Sequence, residues 1–147
     1  MKLTKFQDLS IEEKKEVLNW RNHPEIRKWM YNKEKIPLKN HIKFIEKLKE
    51  KNDMIYLKVD DLGVVNFLKK NNTIEIGIHK NPHKQKVGKK LLEFAINYAF
   101  NELKAKKIVL FVFEDNVKAI NLYKKFGFIE VDKKDNLIKM ELKNASK

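Results

Sequence analysis

The sequence predicts an α/β protein built on a mixed, mostly antiparallel sheet of seven strands with about four flanking helices. Two observations support this fold class. Apolar residues recur at helical spacing before residue 51 and alternate as in strands from residue 54, and strand and helix patterns then follow one another along the chain. Because 147 residues is the usual size of one domain, we expect a single domain over residues 1–143 and a short polar tail over 144–147.

Local signals place the elements of the N-terminal third. Ser10 and Glu13 have the spacing of a capping box, so a helix should begin there and continue to about Trp20. Pro24 suits the first position of a second helix. The other elements predicted here are a strand over Leu3–Phe6, a short helix over Glu25–Met30 and an amphipathic helix over Leu38–Lys51.

The rest of the chain alternates between strands and helices. The run Lys107–Phe113 is too continuously apolar for burial on one face, so it should lie in the centre of the sheet. Gly127 should give the last helix a left-handed end. The other predicted elements are a meander of strands over Met54–Val59, Val64–Lys70 and Thr73–His79, a closing hairpin over Ile129–Lys133 and Leu137–Leu142, and helices over Gly88–Glu102 and Asn116–Lys125.

Composition excludes several classes of function. The chain has no cysteine, which rules out disulfides, cysteine-bound zinc and a thiol nucleophile, and we predict no metal site. No apolar run is long enough to span a bilayer, and the first residues lack a signal-peptide pattern. We therefore expect a cytoplasmic protein that makes no membrane contact.

The formal net charge of +13 favours an anionic partner. Only two of the 33 basic residues are arginine, Arg21 and Arg27, and the lysines are dispersed. Because nucleic-acid binding usually depends on clustered basic residues and recognisable motifs, we expect no nucleic-acid partner, although a non-enzymatic nucleic-acid-binding module remains an alternative. Most of the lysines are interpreted as solvated surface.

Two motifs follow the meander. The first is the loop Gln85-Lys86-Val87-Gly88-Lys89-Lys90, between a strand and a helix, where backbone N–H groups and the helix dipole can bind phosphate. Its single glycine fits neither a Walker loop nor a dinucleotide fingerprint. The second is Asn116-x-x-Ala119-Ile120-x-Leu122-Tyr123-x-x-x-Gly127-Phe128, directly after the central strand. Taken alone, its tyrosine also fits a phenol packed in the core.

Together, these motifs and the order of elements resemble the GNAT superfamily of acetyl-CoA-dependent N-acetyltransferases over nearly the whole chain. The resemblance implies acetyl-CoA as cosubstrate, with its pyrophosphate in the loop and its pantetheine arm along the last meander strand, which carries a bulge in that family. Lys90 replaces a residue that is usually small in the family, at a position where the backbone N–H binds. The implied coenzyme-binding residues are Ile76, Gly77, Ile78, Gln85, Lys86, Val87, Gly88, Lys89, Lys90, Asn116 and Tyr123.

The resemblance also implies that an acceptor amine attacks the thioester directly. Tyr123 then acts as general acid towards the departing thiolate. Glu75 shares a strand face with Gly77 and His79, and could act as general base through a water molecule. His41 and His79 are alternatives, because imidazole titrates near neutrality.

The N-terminal run Trp20-Arg21-Asn22-His23-Pro24, with the later His41-x-x-Phe44-Ile45, is similar to GNAT enzymes of pseudaminic acid biosynthesis. Those enzymes acetylate the 4-amino group of a UDP-linked 4-amino-4,6-dideoxy sugar. The resemblance implies a UDP-amino sugar as substrate, bound by Arg21, His41, Lys69 and His79, the last in place of an aromatic residue.

Two further expectations follow from the same resemblance. Ribosomal-protein N-terminal acetyltransferases share a weaker version of the Arg-Asn-x-Pro element, so acetylation of a protein N-terminus or lysine is the alternative activity. A homodimer is expected, because the closing strands of this superfamily often pair between subunits.

Overall fold

The computed structural model describes residues 2–144 and forms one seven-stranded sheet flanked by helices. The strands are β1 (Leu3–Lys5), β2 (Met54–Val59), β3 (Gly63–Lys70), β4 (Thr73–Lys80), β5 (Lys107–Phe113), β6 (Ile129–Lys134) and β7 (Leu137–Lys143). The helices are α1 (Ile11–Asn22), α2 (Pro24–Arg27), α3 (Leu38–Leu48), α4 (Gly88–Asn97) and α5 (Val117–Lys125). The strand order is β1-β2-β3-β4-β5-β7-β6, and only β4 and β5 are parallel neighbours. The predicted fold class is confirmed.

Helix ends follow the local signals closely. The Ser10 hydroxyl accepts the Glu13 N–H at 3.1 Å, and the Glu13 carboxylate accepts the Ser10 N–H at 3.0 Å, so the predicted capping box is confirmed. Gly127 has a φ of 98° and donates its N–H to Lys124 at 3.0 Å, as expected for a left-handed helix end.

Other helix limits differ from the prediction. A single-turn helix, α2, ends at Arg27, whereas the prediction extended to Met30. Similarly, α3 ends at Leu48, and α4 passes into a π-helical turn over Tyr98–Glu102. The Asn144 N–H donates to the Lys106 carbonyl, and residues 145–147 of the predicted tail lie outside the described residues.

Each face of the sheet carries its own hydrophobic cluster. On one face, α4 and α5 cover buried residues that include Phe67 and Ile108. On the other face, α1 and α3 pack around Trp20, Ile45 and Val64. Side chains alternate along strands and cross-strand partners share a face. The β3–β4 pairs on the α1–α3 face are therefore Val64–His79, Asn66–Gly77, Leu68–Glu75 and Lys70–Thr73.

The central strands β4 and β5 pair over only part of their length. Three parallel residue pairs join them, from Thr73–Lys107 to Glu75–Val109. Beyond Glu75 the described pairing between the two strands stops, so their remaining halves flank a gap in the sheet. On this edge, the peptide groups of β4 have no neighbouring strand to bind. The gap connects the α1–α3 face with the α4–α5 face.

The bulge expected in β4 is not found. The β3–β4 register runs without a shift from Gly63–Lys80 to Lys70–Thr73. A bulge requires one surplus residue, and these two strands have eight residues each and are joined by a tight turn in which Asn71 has a φ of 60°. The expectation was wrong, because β4 exposes its edge by separating from β5 rather than by bulging.

Candidate active site

The gap between β4 and β5 is the centre of the candidate site. Ile76, Gly77 and Ile78 lie on β4 just beyond the last β4–β5 pair. An extended ligand can form hydrogen bonds with the backbone N–H and C=O groups of such a free strand edge, as an added strand would. The predicted coenzyme strand therefore has its hydrogen-bonding groups available.

The loop before α4 presents backbone N–H groups at one end of this gap. Lys86 has a φ of 60°, and Val87 follows with a φ of −96° and a ψ of −12°. Successive left-handed and right-handed residues form a concave nest of N–H groups that binds anions. No side chain caps the first turn of α4, so its N–H groups add to the nest. The exposed side chains around the loop are Gln85, Lys86, Lys89 and Lys90.

Buried contacts hold this loop in place. The Asn81 amide donates to the Asp61 carbonyl at 2.9 Å, and the Asn81 oxygen accepts the His83 N–H at 2.9 Å. Val87 packs into the core. The Lys90 side chain lines a groove beside α4 together with Asp60, whereas its N–H belongs to the open first turn of the helix.

A second element, α5, begins directly after β5. The Asn116 side-chain oxygen accepts the Ala119 N–H at 3.4 Å and caps the helix, so the NH₂ group of the same side chain takes no part in the cap. Tyr123, two turns further on, is half-buried with its ring 5.9 Å from that of Phe128. Burial raises the pKa of Tyr123 to about 12, so the phenol keeps its proton at neutral pH.

Side chains from both faces meet at the gap. Tyr31 belongs to the loop between α2 and α3, and its ring lies 6.4 Å from Phe113 at the end of β5. Partial desolvation, with smaller contributions from Glu75 and Tyr123, raises the pKa of Tyr31 to about 12. Glu75 is itself largely shielded and pairs with Lys70 at 3.8 Å. Tyr31 therefore lies within electrostatic reach of both the predicted base and the predicted acid.

Arg21 and His79 form a desolvated polar pair on the α1–α3 face. Arg21 Nη1 and His79 Nε2 are the two buried side-chain polar atoms without a hydrogen-bond partner among residues 2–144. Burial, followed by the nearby Arg21 and His41, lowers the pKa of His79 to about 3, so the imidazole is neutral. Unpartnered buried groups are costly, which is typical of a site that a ligand completes. This neutral imidazole is a poor general base, which favours Glu75.

The loop carrying Tyr31 is fixed by side chains of α1. The second guanidinium nitrogen of Arg21 donates to the Asn32 carbonyl at 2.6 Å. The Asn22 side chain exchanges two hydrogen bonds with the backbone of Ile36, at 2.8 and 2.9 Å. The sequence prediction missed Tyr31 as a site residue, because the loop has no periodic pattern. The available signals were the adjacent polar residues Arg21 and Asn22 at the end of α1 and the run Trp29-Met30-Tyr31, which belongs to the same N-terminal motif.

The match with a family model decides the class of this site. The model described as the acetyltransferase (GNAT) family matches residues 14–128. The chain belongs to the GNAT acetyltransferase family.

A named relative and two solved structures resemble this acetyltransferase over nearly their full length. The chain is 32% identical over 150 residues to Acetyltransferase PseH of Campylobacter jejuni, an alignment that covers 99% of this chain and 95% of PseH. The crystal structure of that N-acetyltransferase in complex with acetyl coenzyme A matches with a TM-score of 0.81 and 27% identity, covering 98% of this chain and 99% of that one. A Vibrio cholerae spermidine N-acetyltransferase, solved with CoA and spermine, has a TM-score of 0.83 at 22% identity and covers 97% and 94% of the two chains, which shows the shared fold.

The other two predicted acceptor residues, His41 and Lys69, differ from Arg21 and His79 in their surroundings. His41 is buried in α3, and its Nε2 lies 3.0 Å from the Lys14 carbonyl oxygen, so it joins α3 to α1. Lys69 alternates with Phe67 onto the α4–α5 face, where its position in the strand turns it away from Arg21 and His79. Because successive side chains of a strand point to opposite faces, Lys69 lies on the α4–α5 face and Lys70 lies on the face of Glu75.

The described residues hold no cluster of side chains suited to a metal ion, and no helix among them is long and apolar enough to cross a membrane.

Proposed function

We propose that this acetyltransferase transfers the acetyl group of acetyl-CoA to the 4-amino group of a UDP-linked 4-amino-4,6-dideoxy sugar, in pseudaminic acid biosynthesis. The observation that carries the proposal is the desolvated pair Arg21 and His79 on the acceptor side of the gap. The full-length similarity to PseH supports the same acceptor class.

Acetyl-CoA would bind across the α4–α5 side of the gap. The nest at Lys86 and Val87, with the open first turn of α4, would hold the pyrophosphate. The free edge at Ile76–Ile78 would pair with the amide groups of the pantetheine arm, and the amide group of Asn116 would bind it from the opposite side. The thioester then lies between β4 and β5.

The chemistry follows from the groups that converge there. The acceptor nitrogen attacks the thioester carbonyl carbon, so that a C–N bond forms and the C–S bond breaks. Backbone N–H groups of β4 stabilise the negative charge on the carbonyl oxygen. Tyr123 gives its proton to the departing sulfur. The proton lost by the acceptor nitrogen passes through water and Glu75, and restores the phenol by the end of the cycle.

Charge favours a sugar nucleotide over a polycation as the acceptor. The chain carries a formal charge of +13, and Arg21 lies in the proposed acceptor cleft with its Nη1 lacking a hydrogen-bond partner among residues 2–144. An anionic diphosphate gains attraction from both, whereas a polyamine is repelled by both. A guanidinium can also stack on a planar uracil ring or donate two hydrogen bonds to a phosphate, which the ammonium group of lysine does less specifically.

Replacing Tyr123 with phenylalanine tests the assigned acid. The Tyr123→Phe variant should lose about 100-fold in kcat, within the range of general acid catalysis, while its dissociation constant for acetyl-CoA remains near that of the parent. Tyr98→Phe is the matched control, because Tyr98 lies in the π-helical turn after α4, where its ring stacks on Phe67 and lines a groove with Asn101 and Glu102. Parent-like turnover by Tyr123→Phe would remove the phenol from the mechanism.

A homodimer is part of the same proposal. Size-exclusion chromatography with light scattering should give twice the monomer mass. A monomer that retains full activity would refute it.

A further inference from the structure

A row of three residues crosses the acceptor face at the level of the gap. Tyr56 on β2, Asn66 on β3 and Gly77 on β4 are direct cross-strand partners. They lie on the α1–α3 face, between the rows that contain His79 and Glu75. The end of this row at Gly77 borders the unpaired edge of β4. Any acceptor that reaches the thioester from this face passes over the row.

The Asn66 side chain lies directly over Gly77. A Cβ atom on Gly77 would stand 2.5 Å from Asn66 Oδ1 and 3.0 Å from Asn66 Nδ2. Both polar atoms of the carboxamide therefore occupy the volume that a side chain at position 77 would fill. Glycine at this position is explained by Asn66: without a side chain at 77, the carboxamide can lean across β4 towards the gap.

The Asn66 carboxamide is available to a ligand. It makes no hydrogen bond to any residue in the range 2–144, although the strand positions on both sides of it, Val65 and Phe67, are completely buried. Asn66 itself is half-buried and retains access to the cleft. A carboxamide has two donor hydrogens and an acceptor oxygen, so it can bind an amine and a neighbouring hydroxyl or carbonyl together.

We propose that Asn66 orients the acceptor amine for attack, its Oδ1 accepting a hydrogen bond from the amine and its Nδ2 donating to an adjacent oxygen of the acceptor. This inference rests on the proposed acceptor cleft and assigns to it a residue that determines orientation. A neutral carboxamide suits the task, because a carboxylate in the same place would stabilise the protonated amine, which cannot attack. Glu75, one row away, is the group that receives the proton in the proposed mechanism.

The test uses steady-state kinetics with saturating acetyl-CoA. The acceptor is whichever amine the parent enzyme acetylates from a panel of a UDP-4-amino-4,6-dideoxy sugar, spermine and a peptide with a free N-terminus. Asn66→Ala should raise the KM for that acceptor about tenfold and leave the KM for acetyl-CoA within about twofold. The control variant Asn97→Ala removes a carboxamide from the exposed surface of α4 and should change neither the KM for the acceptor nor the KM for acetyl-CoA.

A second variant keeps the shape of the side chain and changes its charge. Asn66→Asp should move the pH at which kcat/KM is half-maximal upwards by about one unit, because the carboxylate favours the protonated amine. An unchanged acceptor KM in Asn66→Ala, an equal rise in both KM values, or an unshifted pH profile in Asn66→Asp would overturn the role of Asn66. Acetylation of spermine or the peptide alone would refute the proposed acceptor, while the same variants would still decide the role of Asn66.

Discussion

His79 makes a specific contribution to the pH dependence of stability. In the folded protein its pKa is lowered to about 3, chiefly by burial and then by Arg21 and His41. In the unfolded chain it should titrate at about 6.5. Between these values the unfolded state binds a proton that the folded state does not, so stability falls as the pH is lowered.

The size of the effect follows from the two pKa values. Below the unfolded pKa, each pH unit shifts the folding equilibrium about tenfold, so acidification from pH 6 to pH 5 should cost the parent protein roughly 1 kcal/mol through His79 alone. His79→Gln carries no titrating group at this position and should lack this part of the pH dependence. His41 also has a lowered pKa, but it is present in both proteins and cancels in the comparison.

Urea unfolding followed by tryptophan fluorescence at pH 7, 6 and 5 measures the difference. Between pH 6 and pH 5 the free energy of unfolding of the parent should fall by roughly 1 kcal/mol more than that of His79→Gln, so the difference between the two proteins should change with pH. Parallel curves with equal m-values at all three pH values would refute the neutral, desolvated state of His79.

Two further predictions concern elements that position the site. Asn22→Ala removes both hydrogen bonds to Ile36 and should lower the free energy of unfolding by about 1–2 kcal/mol, with faster amide exchange across residues 29–36 in hydrogen-exchange mass spectrometry; unchanged exchange there would contradict the role of Asn22 in fixing the loop. Gly127→Ala places a Cβ at a φ of 98° and 3.2 Å from a methyl group of Leu142, and should cost about 1–3 kcal/mol in chemical denaturation, so a stability equal to that of the parent would show that the helix end can rearrange.

Most of the fold could be predicted from signals carried by residues close together in the sequence. The capping box at Ser10, the left-handed Gly127 and the limits of β5 each depend on a few neighbouring residues, and each is confirmed. The predicted end of α3 was too late because its final turn, which contains no glycine or proline, gives no stop signal. The β4 bulge was expected from family resemblance, whereas the separation of β4 from β5 depends on long-range packing that no local pattern records.

The site was predictable where it lies on regular elements. Alternation along β4 placed Glu75, Gly77 and His79 on one face, and the structure agrees. Applied to β3, the same rule places Lys69 on the α4–α5 face and Asn66 on the α1–α3 face. It would therefore have favoured Asn66 over Lys69 as an acceptor residue. Tyr31 could not be found in this way, because tertiary hydrogen bonds from Arg21 and Asn22 place its loop.

Only some of the basic residues are assigned to the binding of anionic ligands. Lysines surround the loop before α4, where anionic groups of the coenzyme would bind, and Arg21 faces the proposed acceptor. Exposed lysines elsewhere contribute mainly to the solvated surface, where individual ion pairs add little stability.

Mass spectrometry of the acceptor after incubation with acetyl-CoA tests the proposed reaction most directly. The proposal predicts that a UDP-4-amino-4,6-dideoxy sugar gains one acetyl group on its amine, with a kcat/KM at least about 100-fold above that for spermine or for a peptide N-terminus. A UDP-sugar without a free amine should remain unmodified. Acetylation of spermine or the peptide, with the amino sugar unchanged, would contradict the proposed acceptor.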